Sequence, residues 1–180
     1  LQNLVKQVPG VGRAELEAAV ECMREVVADV DRASAKRASL LLSEMLLSRM
    51  EPSEAFSPTF LRSLGDVKMA CNLDVLYHHP TKAPLTTPLA IKYYGCVLFA
   101  DYFLILKVRK SQTYAPRFWF PMAEVKVTHP DRRTVALPLS FRLSVRGHHF
   151  EMMTSTAKEL ELWKHALHTV MCCCCLSPQA

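Results

Sequence analysis

The residues most able to do chemistry sit near the end of the chain, where Cys172, Cys173, Cys174 and Cys175 follow His165 and His168. On a helix, His165, His168 and Cys172 would share one face at i, i+3 and i+7, and imidazole with thiolate is a zinc-ligand set. Four adjacent cysteines cannot all point at one ion and no second ligand pair is evident, so no metal is expected. A thiol run beside a basic surface also suits acylation; the alternative is a helix end made of small apolar side chains. Cys22, Cys71 and Cys96 are isolated, and seven cysteines so arranged make no disulfide framework, which favours a reducing, intracellular setting. The pairs His78–His79 and His148–His149 fall on strand candidates, where neighbours point to opposite faces, so they read as surface and rim residues that do not converge. The segment Val8-Pro9-Gly10-Val11-Gly12 lacks the Lys-Ser/Thr of a phosphate-binding loop and follows a helix rather than a strand. There is no nucleophile elbow and no Cys–His pairing in context. No catalyst and no cofactor are expected.

Charge is more informative. The 180 residues carry 22 Lys and Arg against 17 Asp and Glu, a net +5. Residues 1–66 hold eight Lys and Arg against ten Asp and Glu, a balance of −2, and residues 67–180 hold fourteen against seven, a balance of +7. The basic excess lies wholly in the second part, where it suits phosphate groups on lipid or nucleic acid, or solubility alone. Nucleic acid is not the expected partner: Phe118, Trp119 and Phe120 adjoin Pro121 and fit a barrel wall rather than an exposed stacking face. No apolar run reaches the roughly 18–20 residues that span a bilayer. The chain has no initiator Met and no signal peptide, and is expected to start inside a larger protein.

The elements that must position these residues divide the chain in two. Leu1, Leu4, Val5 and Val8 repeat at helical spacing until Pro9 and Gly10 break the pattern. Leu16, Val20, Met23, Val27 and Val30 then step by four, three, four and three, and Leu40, Leu41 and Met45 resume the stripe. A helix continuous over residues 13–49 would be roughly 55 Å long. Residues 51–66 read as a linker whose Phe56, Phe60, Leu61 and Leu64 are too apolar for a free tether, so it is expected to dock. Strands are expected at residues 67–78, 91–99, 102–109, 117–128 (one or two, with Pro121 at an edge or bulge), 139–146 and 148–153, and loops at residues 79–88, 110–116 and 130–134. The last element is a helix opened by Thr156 and Glu159 as a capping box, whose carboxylate returns to the cap. Leu160, Trp163, Leu167 and Val170 form its apolar stripe. The fold class is α+β: a seven-stranded antiparallel barrel or sandwich capped by a C-terminal helix and preceded by a long helical stalk.

Three stretches carry a family resemblance: YGCVLFADYFLILKV at residues 94–108, SFRLSVRGHHFEMM at residues 140–153, and TAKELELWKHAL at residues 156–167 with its single Trp163. Together they resemble a pleckstrin-homology (PH) domain, over residues 67–171. The preceding helices are similar to the tail of a Dbl-homology (DH) domain, with LQNLVKQVP at residues 1–9 and ELEAAVECMREVVADVDRASAKR at residues 15–37 as its last two helical segments. That order resembles the Rho-family guanine-nucleotide exchange factors, and the element at residues 118–121 looks closest to fungal members.

The resemblance implies a domain layout: residues 1–50 as the C-terminal helices of a truncated DH domain, 51–66 as linker, 67–175 as PH domain and 176–180 as tail. It implies a regulator that makes and breaks no covalent bond and promotes GDP/GTP exchange on a Rho-family GTPase. Arg24, Val27, Asp31 and Arg32 fall on the GTPase-contacting face; many members have Asn followed by Glu where this sequence has Asp31–Arg32. The first DH helices are absent, so little or no exchange by this chain alone is expected. A PH domain implies phosphoinositide binding, for which Lys68, Lys82, Lys92, Arg109, Lys110 and Arg117 are the candidates. The dense Lys-x-Arg cluster of strong lipid binders is missing, so weak attraction to anionic membrane lipids is the expectation. The implied location is cytoplasmic, peripheral at the plasma membrane. The alternatives are a PH-like adaptor whose long helix binds a protein partner and, behind it, a basic nucleic-acid-binding domain. Exposure of Leu16, Val20, Met23 and Val27 would imply a missing helical bundle, and their packing on the strands an adaptor.

Overall fold

The computed structural model describes residues 12–51, 56–78, 90–128 and 139–176, the last four without their side chains. The expected helix at residues 1–8 and the expected loops at 79–88 and 130–134 lie outside those residues or almost wholly so. The chain divides into two compact units, Leu1–Leu41 and Leu42–Ala180.

Helix α1 runs unbroken over Gly12–Arg49, as its apolar repeat predicts. Between residue 12 and Leu41 it is almost entirely exposed. Arg13–Glu17, Arg24–Glu21 and Arg32–Asp29 bridge neighbouring turns along it. Such surface pairs each add a few tenths of a kcal/mol, so together with alanine-rich composition they sustain a helix that packs little.

The second unit begins with the last two turns of α1. It continues through α2 (Pro58–Ser63) and seven strands: β1 (Met69–His78), β2 (Ile91–Leu98), β3 (Tyr102–Val108), β4 (Tyr114–Pro121), β5 (Lys126–Thr128), β6 (Ser140–Val145) and β7 (His148–Met153). It ends in α3 (Ala157–Leu176). The strands form one antiparallel sheet in the order β4-β3-β2-β1-β7-β6-β5. The two-residue turn between β6 and β7 has Arg146 and Gly147 both at positive φ, 48° and 79°, the hairpin geometry whose twist matches the strands.

Two differences from the expected strands have local causes. Residues 114–116, read as loop, begin β4, because Tyr114 pairs with Val108 and Ala115 with Lys107. Pro116 hid this strand; it is tolerated because β4 is an edge and its register slips opposite Ile105 and Leu106. Val67 stands outside β1, but it is buried with the linker residues.

The core has two parts. The interior one gathers Leu73, Val75, Cys96, Leu98, Phe103, Ile105, Phe141, Leu143, Phe150 and Met152 around Trp163, Leu167 and Val170 of α3. The other lies on the outer face of the sheet, where Leu46 of α1 and Phe56, Leu61, Leu64 and Val67 cover Val97, Phe99, Leu104 and Leu106. The linker therefore docks as expected. β2 and β3 are buried on both faces, which explains why Cys96–Phe99 and Phe103–Leu106 are unbroken apolar runs rather than alternating ones.

The capping box at α3 is present with one change. Thr156 Oγ1 accepts from the Glu159 N–H at 3.1 Å, but the Glu159 carboxylate accepts from the Ser155 N–H at 2.9 Å, one residue before the cap. The Thr154 hydroxyl, 2.9 Å from Leu139 O and 3.1 Å from Thr156 O, ties this entry turn to the start of β6. Thr156→Ala removes the acceptor for one helix N–H and is expected to lower stability by about 1 kcal/mol, read as a shifted urea midpoint at unchanged slope. An unshifted midpoint would show that the cap contributes nothing.

Candidate functional site

Antiparallel pairing brings the end of β1 (His78), the start of β2 (Ile91), the end of β3 (Val108) and the start of β7 (His148) to one end of the barrel. Cross-strand partners share a face. Lys92 pairs with Val75 and Lys107 with Tyr94, both core residues, so the two exposed lysines stand on the interior side at this rim. Arg117, at the slip in β4, lies with its guanidinium carbon 5.7 Å from the Phe118 ring centre. It also opposes the upward pKa shift that burial imposes on Tyr77. Beside Arg117 is a cluster of aromatic rings. Tyr77 has Phe118 and Phe150 each 4.9 Å away between ring centres, and its hydroxyl is 2.6 Å from His148 Nδ1.

Residues 109–113 turn the chain from β3 to β4. Arg109 N donates to Thr113 O at 2.9 Å, Gln112 N donates to Arg109 O at 3.0 Å, and Gln112 takes a φ of 59°. Lys110 is exposed at the tip. Arg109 is engaged by Glu51, just past α1, with Nε 3.3 Å from Oε1.

Of the candidate cations, Lys92, Arg109, Lys110 and Arg117 thus lie toward one end. Lys68 does not: its N–H donates to Leu98 O at the β2–β3 hairpin, with the ten residues of β1, about 30 Å, between it and that end. Lys82 falls outside the described residues. Lys107 was missed by sequence reasoning. The signal was its place in alternation with Phe103 and Ile105, which puts a cation on the interior face of an otherwise apolar strand.

The histidines need a correction. His78 and His149 were not expected to converge, yet they are cross-strand partners on β1 and β7. Residues far apart in sequence became opposite because β1 pairs with β7, which no local pattern reveals. Nearby on the same face, the fully buried Glu151 accepts from Ser140 Oγ at 3.2 Å and from Arg142 Nη2 at 3.4 Å. Burial, then the charge of Arg142, holds the His78 pKa below its ordinary value, with Glu151 acting against them and His149 with them.

On α1, Arg24, Val27, Asp31 and Arg32 are all exposed. Val27 is 59% exposed and Met23 and Val30, at helical spacing from it, 57% and 61%. Leu16 is half-buried and Val20 buried, so the apolar stripe is open over part of its length only. An apolar stripe rimmed by charge is the kind of surface that another protein covers.

At the end of α3, Cys172 is exposed with Sγ 3.7 Å from the His168 ring, while the side chains of Cys173, Cys174 and Cys175 lie outside the described residues. Among the described residues no three His, Cys, Asp or Glu side chains are grouped to hold a metal ion, and no helix is long and apolar enough to cross a membrane.

No protein-family model and no curated protein sequence matches the chain. Solved structures do. A structure of the Vav1 exchange factor covers 94% of this chain at 16% identity and a TM-score of 0.55. Vav1 with an allosteric inhibitor does so at 18% and 0.60, and the linker-DH/PH domains of p115-RhoGEF at 16% and 0.59, again over 94% of the chain. The fold is similar to that of these DH/PH domain pairs. At such identities the likeness is one of fold, and the chain spans only 42% of the Vav1 chains and 50% of the p115-RhoGEF chain. The cationic rim is one end of the barrel, and α3 packs across the other, with Trp163 against Phe103, Phe141 and Cys71.

Proposed function

We propose that this chain is a fragment of a guanine-nucleotide exchange factor for a Rho-family GTPase, the end of its DH domain followed by its PH domain. In this reading residues 1–50 finish a DH domain, 51–66 are linker, 67–175 are the PH domain and 176–180 its tail. What supports it most is the fold likeness, over 94% of the chain, to DH/PH pairs from proteins described as exchange factors. The open stretch of α1 around Val27 agrees with it, since a DH helix must offer a face to helices and to a GTPase. Arg24, Val27, Asp31 and Arg32 are the residues of that face. The protein acts by binding a GTPase conformation rather than by covalent catalysis. Its PH domain attracts anionic lipid through Lys92, Lys107, Lys110 and Arg117, placing a cytoplasmic protein at the membrane periphery or regulating the DH domain. Acylation of Cys172–Cys175 would add to that attachment.

The test is release of fluorescent GDP from Rho-family GTPases. The protein in its full natural length accelerates release, Val27→Asp in it slows exchange at least about tenfold by burying a charge at the interface, and the 180-residue chain alone accelerates little. A full-length protein inactive on every family member, or a Val27→Asp variant of undiminished rate, would overturn the reading.

A further inference from the structure

The turn that carries Arg109 is also the turn that holds the end of α1. Glu51 makes the connection with several bonds. Its N–H donates to Tyr114 O at 2.8 Å, and Met50 forms a parallel bridge with Tyr114. Its carboxylate takes the Thr113 hydroxyl at 2.9 Å and the Arg109 guanidinium at 3.3 Å and 3.5 Å. A carboxylate only accepts, so Thr113 must spend its proton on Glu51, and Ser111 Oγ, 2.8 Å from Thr113 Oγ1, must donate in turn. The guanidinium is the loosest member: it is 46% exposed, its contacts are the longest, and Arg109 follows β3 at the end of the strands where the cationic rim lies.

We propose that Glu51 is a built-in competitor for the phosphate-binding end: a multiply phosphorylated headgroup takes Arg109 from the carboxylate, so that headgroup binding and the hold on the end of α1 oppose each other. This rests on reading that end as a phosphate site. A phosphate offers guanidinium the same paired acceptor oxygens as a carboxylate, with more charge. Arg109 cannot serve both fully, because its fork points one way at a time. The coupling is reciprocal: whatever Glu51 takes from headgroup affinity, the headgroup takes from the Glu51 contact. The Thr113 and Tyr114 bonds stay, so the end of α1 is loosened rather than released.

Glu51→Gln isolates the charge. The amide oxygen still accepts from Thr113 and the backbone bond to Tyr114 is untouched, so the variant keeps the fold. The 180-residue chain and the variant are titrated with phosphatidylcholine vesicles containing phosphatidylinositol bisphosphate, and separately with soluble inositol trisphosphate. Glu51→Gln is expected to bind both about two- to fivefold more tightly, the scale of one partly exposed ion pair. Adding Arg109→Gln to Glu51→Gln is expected to abolish the gain. Equal binding by parent and variant overturns the competition and leaves the lipid reading standing. A gain that survives Arg109→Gln, or that appears on vesicles and not with the soluble headgroup, reduces it to net charge and overturns it too. No binding by either protein removes the lipid reading and this inference with it.

Discussion

Trp163→Ala is expected to lower the stability of the strand unit by about 3–5 kcal/mol, a large share of what holds it folded. Trp163 is fully buried, with the Phe103 and Phe141 ring centres 5.9 Å and 5.7 Å away. Its indole N–H lies 3.1 Å from Cys71 Sγ. Burial first, and then Glu159, push the Cys71 thiol up to about 12 against the indole's opposite pull, so the sulfur meets the indole as a neutral acceptor. Truncation removes the ring and leaves a cavity that strands on both sides of the barrel cannot collapse to fill. A whole domain has only about 5–15 kcal/mol to lose. The check is chemical denaturation followed by the emission of Trp119, the other of the chain's two tryptophans. Trp163→Phe keeps a ring and should recover most of the loss. An alanine variant as stable as the parent would mean that α3 is not the barrel's plug.

Phe56→Ala is the second large effect, again about 3–5 kcal/mol, though it acts on the opposite face of the sheet. Phe56 is 1% exposed and stands edge-on to Trp119 at 4.7 Å and to Phe60 at 5.3 Å. Phe60 in turn meets Tyr102 at 5.5 Å, so one row of rings joins the linker to β4 and to the β2–β3 hairpin. Each such pair adds roughly 0.5–1.5 kcal/mol beyond the area it buries. In a Trp163→Phe background Trp119 is the only indole. Losing its cover should move its emission to longer wavelength as the denaturation midpoint falls. A midpoint and spectrum that both stay put would show the linker to be an attachment rather than core.

What could be read beforehand follows from the range of each interaction. Helix α3 was legible because its stripe and cap are written within twenty residues, and the hairpins because each is closed by a short turn. The cationic rim was legible in part. Arg109 and Lys110 flag themselves as loop cations, whereas Lys107 needs the pairing with Tyr94 to reveal its face. His78 and His149 needed the closure of β1 on β7. Glu51 carried no local signal, since its partners lie around residues 109–114. The unbroken apolar runs of β2 and β3 are what burial on two sides requires, but nothing local in them says that the end of α1 and the linker cover the outer one.

That second covered face bears on how the chain folds as it is made. Synthesis delivers Leu46 and Phe56 well before Val97 and Leu106, the strand residues they must cover. Contacts this distant form late and slow folding. Until β2 and β3 exist, the end of α1 has no partner to hold it; once they exist, their outer wall is greasy and bare unless that end is already waiting. The two pieces protect one another only together. The chain therefore has to complete its barrel with the upstream helix attached, and a cut placed between them would leave each half exposing the surface that the other was meant to hide.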